Sequence, residues 1–164
     1  MNLAEIIGCL CHGTLQAYQA RPSLLGEHYG IEQVVLAGGY GYRQVMELVQ
    51  NGADAVLEAC DQGDAPKGGN RVQVILRNSR LYVAKTGAPL SEEGLDALLS
   101  PHSSPKCGNQ IGRFGLGFKS LLRLGGRIDF FTRSSGAVRF DPERCRRELQ
   151  KKFGVAEAPG LRLA

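Results

Sequence analysis

MELVQNGADA, residues 46–55, sets three polar side chains in a row: Glu47, Asn51 and Asp54. Offsets of four and then three residues place all three on one face of a helix. Val45, Leu48, Val49, Ala53, Val56 and Leu57 supply enough apolar surface to bury much of that helix. A carboxylate taken out of water is costly unless something pairs with it. The stripe therefore requires a partner: water, another side chain, or a ligand with its metal.

Outward from this stretch, LAGGYGYRQ is a glycine-rich approach to a helix spanning about residues 41–60. DQGDAPKGGN follows as a loop. RVQVILRNSRLYVAKTG predicts two strands, 71–77 and 80–84, joined by a tight Asn-Ser turn, with Val72, Val74 and Leu76 on one buried face. SEEGLDALLS predicts a short helix with Ser91 as N-cap and acidic residues in its first turn. PHSSPKCGNQ is a polar loop, and IGRFGLGFKSLLRLGG is a second glycine-rich loop running into a helix at about Phe118. RIDFFTRSSGAVRFD predicts a hairpin turning at about 134–136. PERCRRELQKKFG predicts a basic surface helix started by Pro142 and stopped by Gly154. At the amino end, residues 2–20 predict an amphipathic helix, and RPSLLGEHYG reads as turns. The tail VAEAPGLRLA reads as the start of a further strand, as in a piece of a longer protein.

The chain has 164 residues, enough for one domain with its own core. A formal charge of +4 suits a polyphosphate or an acidic partner without demanding nucleic acid. The Arg144, Arg146, Arg147, Lys151, Lys152 run reads first as a solvated helix face. No apolar run approaches the length of a membrane span. The five cysteines are odd in number and show no CxxC spacing, which points to free thiols in a reducing cytoplasm. Cys9, Cys11 and His12 lack a second ligand cluster and read as packing residues. His28 and His102 fall in stretches read as loops, with no visible partner.

The 22 glycines are clustered, which suggests backbone that turns sharply or approaches a ligand. Gly112, Gly115 and Gly117 stand in the order G-x-x-G-x-G. This is neither a P-loop nor a dinucleotide fingerprint, because both the spacing and the flanking elements differ. Such glycines still bare backbone N–H groups, and a helix start beyond them adds a positive dipole end suited to anions. A polyphosphate held there needs a divalent cation. Magnesium takes few protein ligands, and the Asn51 amide oxygen is one candidate. Glu47, one turn earlier, could then polarise a water for attack on the terminal phosphate. Lys119 and Arg123 read equally as phosphate ligands and as a solvated helix face.

These two stretches, in this order and with a strand pair between them, resemble the N-box and second glycine box of the GHKL ATPase superfamily, which includes gyrase and the heat-shock-ninety chaperones. More narrowly, GGYGYRQVMELVQNGADA, LYVAKTGAPLSEEGLDALL and NQIGRFGLGFKSLL resemble bacterial relatives of the sacsin N-terminal ATPase-like domain, over about residues 20–150. The resemblance implies an α/β (α+β) two-layer sandwich of Bergerat type, with a mixed sheet, helices on one face and nucleotide under a lid of about residues 95–111. It implies ATP and Mg2+ as ligands, Glu47 as general base, Asn51 as magnesium ligand and Asp54 lining the nucleotide pocket. Gly112, Gly115 and Gly117, with the backbone of Arg113, Phe114, Leu116 and Phe118, would wrap the phosphates. It also implies coupling of nucleotide state to conformational change, through a homodimer or other domains of a longer chain.

One departure concerns the base. The superfamily's first glycine box opens with an Asp that accepts from the adenine amino group, whereas this chain reads KTGAP. Lys85 stands at the Asp position and is donor-only. Thr86 or a water would have to accept instead, while Gly87 matches the box. Pro89 replaces its second glycine. The alternative is therefore a nucleotide-binding or interaction module without catalysis, with altered base recognition.

Overall fold

The computed structural model describes residues 3–38, 43–64, 68–100, 117–132 and 136–164. Two helices, α1 (Leu3–Ala20) and α2 (Ser23–Ala37), precede α3 (Gln44–Asp61). A hairpin of β1 (Val72–Arg77) and β2 (Arg80–Lys85) follows, then α4 (Glu92–Leu99). A 3-10 helix (Phe118–Leu124), a second hairpin of β3 (Ile128–Thr132) and β4 (Gly136–Phe140), and α5 (Pro142–Phe153) complete the order. The chain is thus α+β, with helices and small antiparallel sheets.

Local chemistry explains most boundaries. Ser91 caps α4 by accepting from Gly94 N–H at 3.1 Å. The Asp141 carboxylate caps α5 by accepting from Arg144 N–H at 3.0 Å, and Gly154 ends that helix in the left-handed region. Asn78 and Ser79 both have positive φ, 50° and 57°, the conformation that lets a two-residue turn follow the twist of its strands.

α2 corrects the expectation of turns. Gly26 and Gly30 lie on its exposed side with open space around them. Leu25, His28, Glu32 and Val35 recur at helical spacing on the inward side, where Leu25, Glu32 and Val35 are buried. The packing of that face outweighs two glycines, each a penalty of about 1 kcal/mol in a helix.

The described residues hold two separate two-stranded antiparallel sheets where one mixed sheet was expected. α3 packs on the first hairpin, with Gly52 against Val72: a Cβ at Gly52 would stand 2.6 Å from Val72 Cγ2. The buried face expected of Val72, Val74 and Leu76 is covered only at Val72, where α3 lies on the hairpin; Val74 and Leu76 are exposed, as are Ile75 and Tyr82 on the opposite face. The second hairpin belongs to the main core, where Leu3, Leu95, Leu99, Phe118, Leu121, Val138, Phe140 and Leu161 pack together. Phe118, Phe130 and Phe140 meet edge-on or tilted, with centroids 5.1 to 6.3 Å apart. A second cluster gathers Tyr18, Leu25, Cys145, Leu149 and Ala158 between α1, α2 and α5.

The tail also differs from expectation. Residues 158–164 form no strand; they run as irregular chain with Ala158 through Arg162 buried. No helix among the described residues is long and apolar enough to cross a membrane.

Candidate functional site

α3 presents the polar stripe as its spacing requires. Asp54 is buried, while Glu47 and Asn51 are half-buried. Asn51 and Asp54 each engage other groups of the protein, so the inward part of the stripe is not a bare carboxylate in apolar surroundings.

Glu47 meets the end of the second glycine stretch. A Cβ at Gly117 would collide with Glu47 Oε2 and stand 3.3 Å from Glu47 Cβ. Gly117 has φ of −57°, so a side chain added here would meet the Glu47 side chain rather than backbone strain. The contact is reinforced nearby: Ser120 Oγ donates to the Gly117 carbonyl at 2.6 Å, and Gln44 Nε2 of α3 reaches the Ser120 carbonyl at 3.5 Å.

The first glycine box also touches α3. Gly87 has φ of 108°, and a Cβ there would stand 2.7 Å from Val56 N. The neighbouring Ala88 N–H donates to the Ala55 carbonyl at 2.8 Å, closing the loop onto the helix. Only glycine combines that φ with that approach.

Lys85 and Thr86 have structural work in this turn. Lys85 Nζ donates to the Ala88 carbonyl at 2.7 Å. The Thr86 hydroxyl accepts from Arg71 N–H at 2.9 Å and donates toward the Gly69 carbonyl at 3.1 Å. Both side chains are thus engaged in the mouth of the first hairpin.

Glu47, Asn51, Asp54, Gly87, Gly117 and Phe118 are brought onto or beside α3 and its neighbours, with Phe118 buried in the core. Gly112, Arg113, Phe114, Gly115 and Leu116 lie outside the described residues, as do Tyr40, Tyr42, His102 and residues 101–111 of the expected lid. The helix expected after the glycines is a seven-residue 3-10 helix, Phe118–Leu124.

Lys119 differs from the solvated-face expectation, whereas Arg123 is exposed as that reading has it. Lys119 is fully buried and so does not lie on a solvated helix face. Burial, with help from the Arg162 guanidinium, pulls its pKa down to about 8, while Glu32 opposes the shift. Arg123 donates to the Leu36 carbonyl at 2.9 Å, tying the 3-10 helix to α2. His28 is likewise no loop residue: its Nδ1 lies 2.8 Å from the Tyr18 hydroxyl.

Sequence reasoning missed this group of buried Tyr18, Glu32, Lys119, Cys145 and Arg162 with half-buried His28. The helical recurrence of Leu25, His28, Glu32 and Val35 was the available signal, hidden by the glycines between them. Burial raises the pKa of Tyr18 and pushes the Cys145 thiol up to about 11. Among the described residues, no group of three His, Cys, Asp or Glu side chains converges as a metal-binding cluster; Cys9 and His12 are exposed and Cys11 is half-buried on α1.

Comparison of the chain with known protein families, with curated proteins and with solved structures finds no match in any of the three.

Proposed function

We propose that this chain is a nucleotide-binding domain of the GHKL type, a two-layer Bergerat arrangement that takes ATP with Mg2+ and hydrolyses it slowly. The observation that carries the reading is the contact between Glu47 and Gly117. It sets the one candidate general base against the last glycine of the stretch suited to phosphate, although 70 residues separate the two in sequence. Gly87 packed against the Ala55 and Val56 backbone supports the same reading, since it brings the first glycine box to the same helix.

The residues fit a magnesium ion held mostly by phosphate oxygens and water. One neutral amide oxygen, that of Asn51, suffices on the protein side, and a hard cation prefers oxygen. When bound, the ion would neutralise charge on the phosphates. Glu47 would accept the proton of the attacking water, the 112–117 backbone would hold the phosphates, and Asp54 would line the pocket beside Asn51. A homodimer or the remainder of a longer chain would receive the conformational signal.

Replacing Glu47 with Ala should abolish hydrolysis and leave nucleotide affinity within about twofold, because the carboxylate acts on the water and not on the ground-state complex. Phosphate release and equilibrium binding measured on the same variant check this. Undiminished turnover would remove Glu47 from its role.

A second reading is favoured by the engagement of Lys85 and Thr86 within the turn: a module that binds nucleotide with altered base recognition and does not hydrolyse it. Nucleotide would then raise the melting temperature while no phosphate is released over hours.

A further inference from the structure

The face of the first hairpin turned away from α3 has a composition that the nucleotide reading leaves unused. Alternation along the strands and the register of the pair put six side chains on it: Gln73 opposite Ala84, Ile75 opposite Tyr82, and Arg77 opposite Arg80. All six are exposed, Ile75 at 43% and Tyr82 at 49%. Val72, Leu81 and Val83, on the α3 side, are half-buried. Among the described residues this sheet has two strands, so each strand carries an outer edge open to further pairing. The edge of β1 is the more open of the two. Gln73 through Arg77 are all exposed, Leu76 at 76%, whereas Leu81 and Val83 of β2 are half-buried.

Like charges directly opposite one another destabilise a strand pair, so Arg77 and Arg80 do not serve the hairpin itself. All 16 carboxylate side chains of the chain lie among the described residues, and none of them forms an ion pair with Arg77 or Arg80. Arg139 holds both oxygens of Asp129, at 2.6 and 3.0 Å, and with lesser help from Arg127 and Arg80 lowers its pKa. Asp129 is thus shared among three arginines and leaves Arg80 largely uncompensated. The face therefore offers positive charge and apolar area two residues apart, which is the spacing of side chains on one side of an extended chain. A second copy docked by the same face would set arginine against arginine, which disfavours it as the occupant. An oligonucleotide would match the charge, but Tyr82 is the one aromatic ring on this face, too few to stack successive bases.

We propose that the β1 edge and the Ile75–Tyr82 face form a docking surface for an extended acidic segment of a partner protein. The segment adds as a third strand, with a carboxylate beside Arg77 and an apolar side chain two residues away beside Ile75. Backbone hydrogen bonds along the edge supply affinity, the two arginines select an acidic sequence, and Ile75 with Tyr82 selects its apolar neighbour. The surface is independent of the nucleotide site, and its test uses no nucleotide.

The parent chain is titrated with a capped peptide of about ten residues built on the repeat Asp-Thr-Ile-Thr, which alternates carboxylate and apolar side chains along one face. The same peptide with Lys for Asp, and an oligothymidylate of equal length, are the comparisons. The acidic peptide should bind, and amide protons within Gln73–Arg77 should gain protection from exchange while those of β2 keep theirs. Arg77→Ser and Arg80→Ser should each weaken binding roughly threefold and together about tenfold, and Ile75→Ser alone about tenfold. The melting temperature of Arg77→Ser should be unchanged or raised, because a repulsion is removed. Raising salt from about 0.05 to 0.5 M should weaken binding to the parent severalfold. Absence of saturable binding, equal affinity for the Lys peptide, tighter binding of oligothymidylate, or undiminished binding by the double arginine variant overturns the proposal. If a variant does not fold, the salt dependence and the exchange pattern of the parent decide alone, and binding indifferent to salt or protection confined to β2 overturns it.

Discussion

At the scale of single residues, the proposed site rests on Glu47 lying against Gly117. The atom nearest to a Cβ added at Gly117 is the far end of the Glu47 side chain, which can swing aside. Gly117→Ala should therefore cost little stability yet move the carboxylate from its place. A shift of about 1 Å in a reacting group can lower a rate as much as 100-fold. We expect phosphate release to fall about 10- to 100-fold in Gly117→Ala, with the melting temperature nearly unchanged; equal turnover would separate the glycine from the chemistry. The stripe of Glu47, Asn51 and Asp54 was legible from spacing alone, because helical offsets decide which side chains share a face. The roles of Lys85 and Thr86 were not. Their hydrogen bonds go to Ala88, Gly69 and Arg71, and nothing in a linear sequence says which carbonyl a lysine will find.

Elements with strong local signals were readable nearly to the residue. The Asp141 cap, Pro142 and Gly154 bracket α5 as Pro142–Phe153, and the Asn-Ser turn joins β1 to β2 in the register Arg77↔Arg80. α2 was not readable, since its glycines resemble punctuation and its evidence lies in what its inner face packs against. The first hairpin offers a direct test of the local account. Ser79 holds a φ of 57°, which an L-residue adopts at a penalty of about 1 kcal/mol and glycine adopts freely. Ser79→Gly should raise unfolding free energy by about 0.5–1 kcal/mol in a denaturant titration. A loss of stability would mean that the Ser79 side chain contributes more than its backbone strain removes.

Across the whole molecule, separated segments meet in ways that no local pattern announces. The tail that reads as a nascent strand lies buried instead, because Glu32 satisfies two of its backbone donors and Leu161 fills the main core. The single mixed sheet expected from the family resemblance is two hairpins among the described residues, one under α3 and one within the core. The buried charges also give stability a distinctive pH dependence. Lys119 has its folded-state pKa at about 8 against an ordinary 10.5, so between these values the unfolded chain binds a proton that the folded chain does not. Stability must then rise with pH from about 8. Cys145, raised from 9.0 to about 11, acts in the opposite sense: its contribution is present below pH 9 and is lost above it. Tyr18, raised from 10.0, adds to that loss at higher pH. The denaturant midpoint should therefore climb between pH 8 and 9 and then turn over, and Lys119→Met should flatten the climb. A midpoint that falls through this interval in the parent chain would contradict the buried, poorly solvated placement of Lys119.

The central claim is that α3 and the two glycine boxes form a nucleotide site with magnesium. Calorimetric titration with a non-hydrolysable ATP analogue, with and without magnesium, for the parent chain and for Asn51→Ala, tests it most directly. The account predicts binding that depends on magnesium in the parent and weakens at least tenfold in Asn51→Ala, since the loss of a ligand to a hard cation costs more than about 1.4 kcal/mol. Absence of binding in the parent, or equal binding by Asn51→Ala, would contradict it.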